Sequence, residues 1–172
     1  MKFCAHLVTI LFLSATAAVA AAPARPVKWL DNFAAAKSAA RKEGKPILLS
    51  FTGSDWCPWC AKLEKDVFSQ KAFQDYASSN LILFVADFPQ RTAQPARLVK
   101  QNARLLETYN KEEFFPIILL LDAKGNELGQ TGYRPGGAEQ FVDNLKELLE
   151  QSGWKPETAT NRTVKTAAPV AK

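Results

Sequence analysis

Three stretches of the chain are apolar almost without interruption, and the segments between them are striped instead. Ile47-Leu48-Leu49-Ser50-Phe51, Leu81-Ile82-Leu83-Phe84-Val85-Ala86-Asp87 and Pro116-Ile117-Ile118-Leu119-Leu120-Leu121 are short, rich in branched residues and bounded by turn formers, as expected of strands buried on both faces. Ahead of the first, Asp31 offers an N-cap to a helix through Ala34, Ala35, Ala39 and Ala40 that Gly44 stops. Cys60, Leu63 and Val67 recur at steps of three and four, with Lys62, Glu64, Lys65 and Asp66 on the other side, which predicts a helix beginning near Cys57. Leu98, Leu105, Leu106 and Tyr109 mark another helix, and Phe141, Leu145, Leu148 and Leu149 a last one. Between these two helices, beyond the third strand, Asp122-Ala123-Lys124-Gly125 reads as a tight hairpin, with Gly125 left-handed, into a strand over 127–133. The order is α-β-α-β-α-β-β-α. Strand, helix, strand favours parallel pairing through a right-handed crossover, so the expected architecture is one α/β domain over 27–151, a mixed sheet with helices on both faces.

The ends read differently. Met1 and Lys2 precede an apolar stretch from Leu7 to Val19, too short to span a bilayer comfortably, and Ala18-Val19-Ala20 supplies the small residues a signal peptidase needs. Residues 1–20 are therefore expected to be an export signal and 21–26 a Pro/Ala leader. Cys4 precedes the apolar run, which excludes a lipoprotein-type acylation site. From Ser152 onward large apolar residues nearly vanish, and 152–172 reads as a disordered tail whose Asn161-Arg162-Thr163 sequon is a chance match.

With 172 residues, 47% of them hydrophobic, the chain has room for one ordinary core. The formal charge of +5 is scattered over both signs with no basic stripe, which argues against nucleic acid as a partner. Loss of the signal removes the only histidine, His6, and leaves Cys57 and Cys60 as the only cysteines. A histidine-free chain cannot run a Ser-His or Cys-His couple and lacks the imidazole ligands of most zinc hydrolases, so neither a metal nor another cofactor is expected. The chemistry comes down to two thiols in a chain bound for an oxidising compartment, periplasmic if the host is a Gram-negative bacterium.

Trp56-Cys57-Pro58-Trp59-Cys60 falls between a strand and a helix, the setting of a redox-active Cys-x-x-Cys pair. Residues three apart on a helical turn have Cα atoms about 5–5.5 Å apart, within the ~4.4–6.8 Å a disulfide tolerates, so the bond can open and close without moving the backbone. Pro58 suits the first helical position, which puts Cys57 at the cap, where free amides and the dipole favour a thiolate. Cys57 is the expected nucleophile, and Cys60, facing inward with Leu63 and Val67, the resolving thiol. A static staple, half a zinc site and two inert cysteines are the competing readings. A three-residue loop stabilises little, and the zinc reading lacks further ligands.

Phe51 to Cys60, then Asp87-Phe88-Pro89, Asn102 with Tyr109, Phe115-Pro116 and Gly132-Tyr133 together resemble the exported thioredoxin-like proteins of the DsbH type. The resemblance covers 27–151. It implies a thioredoxin fold, thiol:disulfide oxidoreductase activity on disulfide-bearing protein substrates, a cis peptide at Phe115-Pro116 facing the cysteine pair, and a membrane electron donor that keeps the pair reduced. Trp56, Pro58, Trp59, Phe115 and Pro116 are then the expected substrate-binding residues of a monomer. Two departures stand out: Ser50 occupies the place of the buried Asp of plain thioredoxins, leaving Glu64 or water to take the proton of Cys60, and Phe115 is bulky where plain thioredoxins carry a small or β-branched residue. The 88–102 stretch lengthens the connection between strand and helix and is expected to be a solvated loop. The alternative to a reductase is an oxidase or isomerase of the same fold, or a client-binding factor whose cysteines are incidental.

Overall fold

The computed structural model describes residues 27–156; the expected signal, leader and most of the expected tail lie outside them. In chain order the elements are β1 (Trp29–Leu30), α1 (Phe33–Glu43), β2 (Ile47–Thr52), α2 (Pro58–Leu63), a π-helical turn (Glu64–Phe68), α3 (Lys71–Asn80), β3 (Ile82–Asp87), α4 (Ala96–Tyr109), β4 (Ile117–Leu121), β5 (Glu127–Gly132) and α5 (Gly137–Gln151). The sheet runs β1-β3-β2-β4-β5, with β1, β3 and β2 parallel and β4 and β5 antiparallel.

Each apolar strand alternates between two cores. Leu48, Leu83, Ile118 and Leu120 pack toward α2, α3 and α5, while Ile47, Leu49, Phe51, Ile82, Phe84, Leu119 and Leu121 pack toward α1 and α4. This is why the strands read as continuous runs: helices cover the sheet on both sides. Ser50, on the first of these faces, is the polar interruption of β2 and is buried.

Gly44 ends α1 in the left-handed conformation at φ 65°, and Gly125 holds φ 99° in the β4–β5 hairpin, as their positions in the sequence suggested. The Asp122 carboxylate accepts the amides of Lys124, Gly125 and Asn126, closing that turn. The cap of α1 is corrected by one residue: Asn32, not Asp31, accepts from the Ala35 amide, while Asp31 pairs with Arg97 at 2.9 Å.

Two elements have no counterpart in the expected order. The short β1 carries Trp29 onto Phe68, with ring centroids 5.0 Å apart. After the π-helical turn, α3 starts a second helix where the pattern suggested one, and its Phe73 packs against Phe68 and Phe141. The 88–102 stretch is a largely solvated loop, as expected, only as far as Pro95. Phe88 folds back along Thr52, its amide donating to the Thr52 carbonyl at 2.8 Å, and residues from Ala96 onward already belong to α4. At the other end, the Ser152 and Trp154 amides donate to carbonyls of α5, and Trp154 is half-buried.

Candidate active site

Cys57 is the N-cap of α2, with φ −93° and ψ 103°, and Pro58 occupies the first turn, where its missing N–H leaves no bond unmade. The two sulfurs are joined in a disulfide with Cα atoms 5.2 Å apart, inside the range expected from helical spacing. The Cys60 amide donates to Cys57 Sγ at 3.1 Å. This is the kind of contact that stabilises a thiolate on Cys57 once the bond opens. Burial does not distinguish the two cysteines, each 6% exposed; position does, because Cys57 sits at the free end of the helix and Cys60 one turn inside it, beside buried Leu63.

The turn that delivers Cys57 to this place depends on Gly53. Its carbonyl accepts the amides of Trp56 and Cys57, and a Cβ on Gly53 would lie 2.3 Å from the Trp56 indole, so any side chain there displaces the ring. Trp56 is half-buried, its Nε1–H donating to the Phe88 carbonyl at 2.7 Å and its ring edge-on to Phe115 at 5.3 Å. Phe88 in turn meets Phe115 at 5.5 Å and Phe51 at 6.1 Å. The bulky residue before the proline is thereby accounted for: Phe115 fills the space between Trp56 and Phe88. The Phe115-Pro116 peptide is cis, as the resemblance implied.

On the other side of the disulfide Trp59 is 57% exposed and lies 5.5 Å from Tyr133. Tyr133 donates its hydroxyl to Asp66 at 3.0 Å, and Lys62 bridges Asp66 at 2.7 Å while lying over the Tyr133 ring. The Lys62 ammonium and the Tyr133 hydroxyl together hold the Asp66 carboxyl below its ordinary value. Phe114, 63% exposed beside Phe115, is an apolar side chain that sequence reasoning passed over. Its backbone is clasped by buried Asn110, which accepts from the Phe114 amide and donates to the Phe114 carbonyl.

Behind the pair lies a cavity of about 620 Å³ whose lining includes Cys60, Ser50, Thr52, Glu64, Phe68 and Trp29. The π-helical turn from Glu64 to Phe68 directs both of its ends into this space. Glu64 is exposed as a whole, but partial desolvation raises its carboxyl above the ordinary value, and it is the only carboxylate among the residues lining the cavity. Among the described residues no group of three His, Cys, Asp or Glu side chains stands close enough to hold a metal.

A thioredoxin-like family profile matches residues 28–123. The disulfide bond reductase DsbH of Chlamydia pneumoniae is 35% identical over 124 residues, covering 72% of this chain and 74% of that protein. A solved DsbH oxidoreductase superposes with a TM-score of 0.71 at 33% identity, over 80% of this chain and 95% of that one. The thiol:disulfide interchange protein DsbD of Yersinia pestis is 34% identical over 110 residues, 62% of this chain but only 16% of DsbD. A thioredoxin from Thermus thermophilus, 16% identical with a TM-score of 0.56 over 75% of this chain and 92% of that one, shares the fold.

Proposed function

The chain belongs to the thioredoxin-like family and is a thiol:disulfide oxidoreductase, and we propose that it works as an exported reductase of disulfides in protein substrates. The observation that carries this reading is the Cys57–Cys60 disulfide at the head of a helix, in a chain similar to a disulfide bond reductase. In the reduced state the Cys57 thiolate attacks one sulfur of a substrate disulfide, forming a mixed disulfide and expelling the other sulfur as a thiolate. Cys60 then loses its proton to Glu64 across the shared cavity and attacks Cys57 Sγ. That step releases the second substrate thiolate and leaves the Cys57–Cys60 disulfide. Two electrons have passed to the substrate, and a membrane electron donor of the DsbD kind restores the dithiol. Trp56, Pro58, Trp59, Phe115 and Pro116 form the surface on which the substrate strand lies. The 1–20 segment directs export, and the chain acts as a monomer.

The direction of electron flow follows from what surrounds Cys57. A strong oxidant needs its reduced form heavily stabilised, and Trp59 stands between the cysteines, bringing no charge to the sulfur. Equilibrating the purified domain against glutathione is expected to give a potential nearer thioredoxin, about −270 mV, than DsbA, about −120 mV. A potential above about −180 mV would overturn the reductase assignment while leaving the chemistry of the pair intact.

Glu64 has a separate pH signature. Its folded-state carboxyl titrates above the ordinary value because burial disfavours the charge. The carboxylate therefore costs stability once the pH passes the folded value, and costs nothing below the unfolded one. Because the Glu64 side chain is also open to solvent, which screens the charge, Glu64→Gln is expected to raise the melting temperature only slightly at pH 7 and to leave it near the native value at pH 4. The same variant should slow release of the mixed disulfide in single-turnover kinetics. A variant that releases product at the native rate shows that another acceptor serves Cys60.

A further inference from the structure

The segment that follows β3, from Phe88 to Pro95, contains no fully buried residue, and beyond the Phe88 ring, which packs on Phe51 and Phe115, none of its side chains joins the hydrophobic core. It is nevertheless folded against the turn that carries the cysteines, and past Phe88 one side chain supplies the bonds that hold its backbone there. Asp55, two residues before Cys57, receives three consecutive backbone amides: Gln90 on Oδ1 at 2.9 Å, and Arg91 and Thr92 on Oδ2 at 2.8 and 2.9 Å. Foremost the Gln90 amide, then those of Arg91 and Thr92, hold its carboxyl below the ordinary value. Asp87 makes the reciprocal attachment, accepting the Ser54 amide and hydroxyl at 2.9 and 2.7 Å. The Phe88 carbonyl presented by this segment anchors the Trp56 indole, and the Phe88 ring backs Phe115.

We propose that Asp55 is a positioning residue for substrate selection: it fixes the Phe88–Thr92 segment so that Trp56, Phe88 and Phe115 stand as one rigid wall beside the cysteine pair, against which an extended polypeptide disulfide is held. This rests on the oxidoreductase reading and adds the part of the site that discriminates among its substrates. Charge-assisted bonds from a single carboxylate to three successive amides are suited to this, because they order a polar segment without burying it. The Trp56 indole precedes Cys57 directly and Phe115 precedes the cis proline directly, so slack in the segment reaches both edges of the cleft. A polypeptide must then order the wall as it binds, and the cost falls on binding rather than on attack at sulfur. A small aromatic disulfide that reaches the sulfur without lying along the cleft avoids most of that cost.

The test compares Asp55→Ala with the native domain on two substrates: insulin under a dithiothreitol supply, and 5,5′-dithiobis(2-nitrobenzoate) in stopped flow with domain that has been reduced beforehand and freed of dithiothreitol, which would otherwise reduce this disulfide directly. Hydrogen exchange at Gln90, Arg91 and Thr92 is followed in parallel. The expected result is about tenfold lower kcat/KM for insulin, carried by KM, at least fivefold less effect on the small disulfide, and faster exchange at the three amides. Thr92→Pro removes the amide and the hydroxyl that Thr92 gives to Asp55 and keeps the Asp55 charge; it should show the same selectivity more weakly, and it serves if Asp55→Ala does not fold. Faster exchange with native insulin kinetics would overturn the proposal. So would an equal loss on both substrates accompanied by a shifted glutathione equilibrium, which would assign Asp55 to the sulfurs instead. If the native domain itself turns over neither disulfide, the oxidoreductase reading fails and the proposal falls with it.

Discussion

Cys57→Ser is expected to abolish turnover of protein disulfides, while Cys60→Ser accumulates mixed disulfides with the same substrates. The asymmetry comes from the helix. Cys57 is the cap residue, its sulfur receiving the Cys60 amide at 3.1 Å, whereas Cys60 sits one turn inside and faces the cavity it shares with Glu64. A chain lacking the cap thiol has nothing to open the substrate bond. A chain lacking the inner thiol opens it but cannot expel the product. Nonreducing gels of each variant incubated with disulfide-containing client, followed by reduction and mass analysis, distinguish the two. Trapping by Cys57→Ser and none by Cys60→Ser would reverse the roles. Native-like client folding by the double variant would instead favour a binding factor whose cysteines are incidental.

Phe73→Ala is expected to destabilise the domain by about 3–5 kcal/mol, the usual cost of removing a buried aromatic side chain. At this chain length the midpoint of thermal unfolding should fall by about 10–20 °C, measurable by circular dichroism. Phe73 is fully buried, 4.8 Å from the Phe68 ring and 6.2 Å from Phe141, and so joins α3 and α5 to the π-helical turn. That turn forms one wall of the cavity behind Cys60. The variant should therefore weaken the support of the resolving cysteine along with the core. A loss below about 1 kcal/mol would mean that α3 docks independently of this ring.

Most of the fold can be read from local pattern. The three apolar runs became β2, β3 and β4, and Gly44 and Gly125 took the left-handed positions their places required. The redox helix began where Pro58 suggested. What the pattern missed was short or interrupted. The two-residue β1 is too brief to have a period, and the π-helical turn shifts the register between α2 and α3, so that the stripe of Cys60, Leu63 and Val67 does not carry on into Phe73 and Ala77.

The cysteine pair was legible because its chemistry needs only a fixed spacing and a helix start, both local properties. The wall beside it was not. In the sequence Asp55 looks like an ordinary turn residue, Asp87 like the polar end of a strand and Asn102 like a helix-surface residue. Their roles come from partners far along the chain: Gln90 to Thr92 for Asp55, Ser54 for Asp87, and the Asp87 carbonyl for the Asn102 amide. One signal was available, since Asp55, Asp87 and Asn102 were all among the residues that carried the family resemblance, yet their spacing alone gives no reason for it. By itself the sequence determined an α/β domain with a dithiol at the head of a helix, because hydrophobic period, caps and disulfide reach all act over a few residues. Tertiary structure decided which polar side chains would bind which backbone, and so the shape of the cleft, because those contacts exist only once the sheet has brought distant segments side by side.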